Sequence, residues 1–306
     1  MKSTDDIRVS VALVTRNRPE SLSRCLSSWK DQRPQPFEIV ISDDSDDQFR
    51  LKNKQIAERY QTRWMIGPRK GLYANRNHVV TACRGTHIRS ADDDHEFPRD
   101  HFRLCLDAVR SDPCAIWIIG EYCPPVDTIG KCVPPCPGQL HPRGFSEAPL
   151  DVQNSWALSD GASIFPRLVF DRGLRYADRF MFGAAYLEFG SLLHAYGFRI
   201  RHLEGTYVIH HYNARTRSFM SDDIELGSRL FAMLCHSFIY QPTLNNRLLT
   251  SLECIRQIAS NGRRGIQCFR GAMNAFRSRR QEFMRLSNHG AMRQNDYLRE
   301  RQDSFS

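Results

Sequence analysis

The sequence lacks any apolar run near the roughly 18 residues that a membrane-crossing helix needs. Its opening, MKSTDDIRVSVALV, sets acids ahead of the apolar run, and no small-residue cleavage site follows. It does not read as a secretory leader, so a cytoplasmic location is expected. Among ten cysteines there is no CxxC pair, and a disulfide scaffold is excluded in a chain this long. Cys123, Cys132 and Cys136, with His141, make a loose zinc-like cluster, but reduced loop cysteines are the simpler reading. Neither GxGxxG nor GxxxxGK[ST] occurs, which removes the main support for a dinucleotide oxidoreductase or a P-loop enzyme. Lysine is scarce: 37 of the 43 basic residues are Arg, and the net charge is +9. Such a surface suits nucleic acid, anionic lipid or phosphorylated small molecules, and charge alone does not choose. No RNP, zinc-finger or helix-turn-helix pattern is present, so no nucleic-acid partner is expected.

What remains is a globular chain of 306 residues, 41% apolar and 25% charged, with surface enough for a large core. Its first 120 residues alternate strand and helix. Strands are expected at Arg8–Thr15, Phe37–Ser42, Arg63–Ile66, His87–Ser90 and Ala115–Tyr122. Helices are expected from Pro19, over Leu51–Gln61, Leu72–Cys83 and Asp100–Ser111. That rhythm predicts an α/β fold with a mostly parallel central sheet flanked by helices. Seven of the fifteen prolines then crowd into 124–149, which predicts a long loop that closes over a ligand. A helix follows at Leu187–Tyr196, then strands at Phe198–His202 and Tyr207–His210. Residues 221–306 read as a helical segment with 13 Arg, no Lys and 8 acids. The expected organisation is thus 1–220 as one domain, split into 1–122 and 123–220, plus a basic C-terminal segment. There Phe231, Leu234, Cys235 and Phe238 share a helical stripe suited to a core or to peripheral membrane contact.

In open α/β sheets, ligands bind at the carboxyl ends of the strands. Two expected strands end in acids: the second in Asp43-Asp44 and the fourth in Asp92-Asp93-Asp94. Asp44 is placed to accept hydrogen bonds from a ribose or base. Three adjacent carboxylates repel, so a divalent cation shared with a diphosphate is a natural partner. Gly71 opens a helix whose first amides favour an anion, and Arg76 lies in its first turns.

The order VSVALVTRNRP, EIVISDDSDD, KGLYANRN, ADDDHEFP resembles the family 2 glycosyltransferases of the GT-A fold, over roughly residues 8–212. The resemblance implies an inverting hexosyl transfer from a nucleotide-diphospho-sugar, with a UDP-sugar favoured. It also implies a saccharide or lipid-linked acceptor, polysaccharide biosynthesis, and Mn²⁺ or Mg²⁺. Carried over by position, Thr15 and Arg16 would lie at the nucleotide, Asp44 at base or ribose, and Arg76 at the nucleotide or its phosphates. Asp93 would be the nearest metal contact, flanked by Asp92 at the ribose and Asp94 at the metal, although Ala91 stands where the commonest motif begins with an acid. Of the pair His210-His211, one would reach the metal, with His210 preferred; His95 is a further possible ligand. The family's acidic pair falls on Ala185-Tyr186, and the next acidic position is Glu188, which becomes the candidate general base. Asp160, which reads first as a turn with Gly161, and Asp178, as a helix cap, are weaker candidates. The missing pair also leaves open a catalytically degenerate domain that binds a nucleotide-sugar.

Overall fold

The computed structural model describes residues 7–123, 136–211 and 221–288. Its frame is an eight-stranded sheet in the order β3-β2-β1-β4-β9-β6-β10-β5. The strands are β1 (Val9–Thr15), β2 (Glu38–Asp43), β3 (Arg63–Ile66), β4 (His87–Asp92), β5 (His95–Glu96), β6 (Ile116–Tyr122), β9 (Ser163–Pro166) and β10 (Ile200–His210). A two-stranded ladder, β7 (Gln139–Leu140) with β8 (Ser146–Glu147), lies apart from it. Every residue of β1 is buried. Val9, Val11 and Leu13 enter the core on one face, and Ala12 and Val14 the core on the other. A strand covered on both faces reads as an unbroken apolar run, as this one does.

β1 pairs in parallel with β2 and β4, and β2 with β3. The register sets Thr15 beside Asp43 and Val14 beside Asp92, so the acidic strand ends emerge together at one edge. The sheet is mostly parallel, with antiparallel exceptions. Short β9 runs antiparallel between β4 and β6, and β5 antiparallel to β10. The last two expected strands are one, β10, whose register against β6 shifts between His202 and Tyr207. Gly205, at φ 84°, takes up that bulge. The ladder β7-β8 falls inside the stretch expected to be loop; residues 124–135, with Cys132 of the zinc-like cluster, lie outside the described residues.

The helices are α1 (Pro19–Lys30), α2 (Asp47–Arg59), α3 (Leu72–Ala82), α4 (His101–Ser111), α5 (Leu168–Asp171), α6 (Ala185–Ala195), α7 (Asp222–Cys235) and α8 (Leu244–Asn288). Proline opens α1, where a missing N–H costs nothing. Helix α8 is kinked at Gly262, whose φ 53° and ψ −129° leave the helical region. The C-terminal helices belong to the main core: Leu226, Leu230, Phe231 and Leu234 of α7 and Ala272 and Ala275 of α8 share one apolar cluster with β1 and β6. The stripe considered for membrane contact is therefore a core stripe. Phe231, Leu234 and Cys235 are buried, and Phe238 stands at its margin.

Glu188, expected at the acceptor, is instead the anchor of this helical layer. It lies on α6 with its side chain fully buried. Both carboxylate oxygens meet Arg279 of α8 at 2.8 Å, and the Tyr240 hydroxyl donates to it from a π turn, His236–Tyr240, between α7 and α8. Arg279 also donates to Glu282 and to the Arg175 carbonyl. Breaking one side of such a pair strands a buried charge. Arg279→Met is expected to destabilise by about 3–5 kcal/mol in urea unfolding, and Glu188→Leu with Arg279→Met to recover much of the loss. Equal stability of wild type and Arg279→Met would contradict this account.

Candidate active site

The strand ends open into a cavity of about 770 Å³, within the range of small-ligand sites. Thr15, Arg16, Asp44, Gly71, Asp92, Asp94 and His210 all line it, as do Glu121 at the end of β6 and Asp160. Its far wall comes from the polypeptide after Cys136 (Gly138, Gly144, Phe145) and from α7 (Glu225, Arg229).

The half of the cavity around Asp44 is built by backbone. The Asp44 amide donates to the Thr15 carbonyl at 3.0 Å, and the Arg69 amide donates to the Asp44 carboxylate at 2.8 Å. Burial raises Asp44 above the usual aspartate range, and that amide and Arg16 oppose the shift. Gly67 has no room for a side chain: a Cβ there would strike the Asp44 carboxylate. Gly71, at φ 97°, opens α3 against Met181, whose carbonyl receives the Leu72 amide at 2.9 Å.

The acidic half is crowded and neutralised in pairs. Asp93 is fully buried and turned away from the cavity. It accepts from the Thr15 hydroxyl at 2.7 Å and pairs with Arg18, whose guanidinium also meets Asp94 at 2.6 Å. The expectation for Asp93 thus passes to Asp94, because β4 ends at Asp92 and the turn after it sends Asp94 into the cavity. Burial pushes Asp94 up. His210, His95 and Arg18 outweigh that and hold it well below the carboxylate range. His210 bonds Glu121 at 3.1 Å and lies 3.5 Å from Asp94. Burial lowers its pKa, but these two carboxylates lift it to about 11. His211 turns aside to Glu96.

The antiparallel register pairs His210 of β10 with His95 of β5. Ligand atoms of Asp94, His95 and His210 lie within 4.8 Å of one another, and this is the one such group among the described residues. His95 is fully buried, and neither ring nitrogen has a hydrogen-bond partner. Asp94 Oδ1 is likewise buried without one. Buried polar atoms are nearly always satisfied, so an unpaired Asp94 Oδ1 and an unpaired His95 ring nitrogen, grouped with His210, fit a bound cation. An Asp-His-His set is a donor set for a divalent cation.

Arg76 does not line the cavity. It lies beneath the floor, nearly fully buried, ion-paired with Asp92 at 2.9 Å and Asp160 at 3.0 Å. Arg76 is on the buried side of α3, and its guanidinium meets these two carboxylates. Burial lifts Asp160 to about 6, with Arg76 opposing and Asp92 and Glu121 adding to the rise. Gly161, at φ 81°, completes the expected turn and packs against Asp92 and His95. Glu188 lies away from the cavity in its ion pair, and Asp178 stands exposed in a turn away from it. Tyr186, where the acidic pair is missing, lines the wall. Sequence reasoning missed Arg18 and Glu121. The acids that Arg18 neutralises lie 75 and 76 residues away, and nothing local marks such a partner.

A mostly parallel sheet ending in this acidic, His-assisted cavity is the architecture of the GT-A glycosyltransferases, and solved structures of similar shape agree. TarS residues 1–349 of S. aureus with UDP-GlcNAc superposes at TM-score 0.60 with 16% identity, covering 88% of this chain and 80% of that one. GalNAc-T7 with UDP, GalNAc and Mn²⁺ gives TM-score 0.60 with 16% identity, over 74% of this chain and 47% of that one. The chain belongs to glycosyl transferase family 2, whose sequence profile matches residues 10–172. Among curated proteins, chondroitin synthase of Escherichia coli is 31% identical over 106 residues, 34% of this chain. The match spans only 16% of that relative's length.

Gly161→Ala would place a Cβ 2.5 Å from Asp92 Oδ2 and 3.0 Å from His95, at a φ that disfavours any side chain. It should cost about 1–3 kcal/mol of stability in strain, read by thermal unfolding, and displace Asp92. Unchanged stability would show that the turn relaxes freely.

Proposed function

We propose that the protein transfers a sugar from a nucleotide-diphospho-sugar, with UDP the favoured nucleotide, to a hydroxyl of a saccharide or lipid-linked acceptor, inverting the anomeric carbon. The observation that carries this reading is the convergence of Asp44, Asp92, Asp94 and His210 on one cavity at the strand ends of a family 2 chain. The nucleotides bound in the TarS and GalNAc-T7 structures support UDP, and the latter's Mn²⁺ supports a divalent metal. Asp44 and the β1 end at Thr15 and Arg16 hold the nucleoside. Gly71, which lines the cavity at the start of α3, leaves room there for the diphosphate. Asp94, His95 and His210 would hold Mn²⁺ or Mg²⁺, which would supply neutralising charge for the diphosphate leaving group. Arg76 fixes Asp92 and Asp160 from below.

The acceptor hydroxyl must give its proton to a carboxylate as it attacks. Glu188 has both oxygens engaged in the helical layer, so this role moves to Asp160. It lines the cavity, and at neutral pH a carboxyl with pKa about 6 is mostly ionised yet more basic than an ordinary aspartate. A cytoplasmic location, at the inner face of a membrane if the acceptor is lipid-linked, fits this reaction.

Thermal unfolding with UDP and Mn²⁺ should show stabilisation of about 2.7 kcal/mol at 100 times the dissociation constant, lost in Asp94→Asn. No shift with any nucleoside diphosphate would sink the reading. Asp160→Asn should slow UDP-sugar turnover, measured as transfer or as hydrolysis, by about 10²–10⁴-fold while UDP still stabilises the fold. In wild type, kcat/KM should fall as pH drops through about 6, because the raised Asp160 carboxyl takes up its proton there. Full activity in Asp160→Asn would free it of this role. UDP binding without any turnover in wild type would favour the degenerate domain suggested by Ala185 and Tyr186.

A further inference from the structure

The core stripe on α7 leaves a different apolar stripe in solvent. On the first half of α8, Leu244, Leu248, Leu252 and Ile255 are 56% to 85% exposed. Steps of four, four and three residues place them on one helical face. Arg247 and Arg256 border that face on its two sides, Arg247 stacked on Phe238 and Arg256 paired with Glu253. Beyond the kink at Gly262, Arg263, Arg270 and Arg277 are exposed at seven-residue intervals, and Arg280 joins them. Helix α8 carries nine Arg, no Lys and two Glu. The two glutamates leave Arg247, Arg263, Arg270, Arg277 and Arg280 unmatched. Glu253 is buried and paired with Arg143 and Arg256, and Glu282 is half-buried and paired with Arg279. Arg264 is already matched by Asp222 and Asp223.

We propose that α8 is a membrane-docking surface that lays its Leu/Ile stripe into the interface of an anionic bilayer, with its exposed arginines on the headgroups. Large apolar side chains edged by arginine are the pattern of helices that lie in the interface plane. Anionic headgroups supply the counter-charge that α8 itself lacks. Nucleic acid would satisfy the arginines but gives the Leu/Ile stripe nothing to bury in. A second copy pairing stripe to stripe would bring Arg247 and Arg256 against their like, with no exposed acid on α8 to meet them. No described helix is long and apolar enough to cross a membrane, so the contact is peripheral. The surface is read from α8 alone; its use in presenting the cavity to a lipid-linked acceptor rests on the proposed transfer reaction.

The test is co-sedimentation of the full chain with vesicles of phosphatidylcholine alone or with 30% phosphatidylglycerol. Binding to the anionic vesicles should be at least tenfold tighter and should weaken in high salt. Leu248→Ser with Leu252→Ser should lose at least tenfold, as should Arg263→Glu with Arg270→Glu and Arg277→Glu. All these side chains are exposed, and unfolding curves matching wild type would show both variants intact. Equal binding to both vesicles, or anionic binding that survives both variants, overturns the proposal. So does a dimer in analytical ultracentrifugation that Leu248→Ser with Leu252→Ser abolishes, which would make the stripe a self-interface. Retention of a labelled RNA that needs the arginines, without vesicle binding, overturns it in favour of nucleic acid. Vesicle binding in a protein that UDP does not stabilise would leave this surface standing and remove only the transfer reading.

Discussion

Crowded negative charge governs the structure around the cavity. The parallel register of β2, β1 and β4 delivers Asp44 and Asp92–Asp94 to one edge, and β6 and the turn before β9 add Glu121 and Asp160. Carboxylates brought this close out of water cannot all stay ionised unless cations share their space. Arg18 clamps Asp93 and Asp94, Arg76 ties Asp92 to Asp160, and His210 joins Asp94 to Glu121. Each bridge links different parts of the chain. Arg18 comes from the start of α1, Arg76 from α3 and His210 from the last strand. The electrostatics of the site and the closure of the fold are therefore one problem with one solution.

Two of those cations lie under or beside the cavity, not across its mouth. Arg76 shapes the carboxylates from below, and Arg18 holds Asp93 out of the way so that Asp94 faces inward. Neighbouring charge then separates the buried acids in basicity. Asp94, beside His210, His95 and Arg18, stays ionised and available to a cation. Asp160 is lifted by burial and by the nearby Asp92 and Glu121, with Arg76 and His210 only partly opposing the rise. Environments that push neighbouring carboxylates apart in basicity are how one cavity holds groups with different tasks.

The helical layer solves a separate problem with the same chemistry. Glu188 and Arg279 form a buried pair between α6 and α8, capped by Tyr240 from a π turn. This fixes the inner face of α8, and the outer face is left with arginines and an exposed Leu/Ile stripe. An acid that sequence position assigned to chemistry thus joins helices, while the acid that position marked as a turn faces the cavity.

The sequence by itself determined the strand–helix rhythm, the mostly parallel sheet, and the acidic ends at Asp44 and Asp92–Asp94, because burial on both faces and short apolar runs are local patterns. Thr15, Arg16, Gly71 and His210 were legible for the same reason: each sits at the end of a readable strand or the start of a readable helix. Tertiary structure alone decided which of three adjacent aspartates faces the cavity, since a turn re-aims side chains within one residue. It alone decided that Arg76 is buried beneath Asp92 and Asp160, and that β9 enters between β4 and β6. It alone paired His95 with His210 across β5 and β10, and Glu188 with Arg279 across 91 residues. Those outcomes depend on long-range packing and on where buried charges find partners, and no periodicity in the chain encodes either.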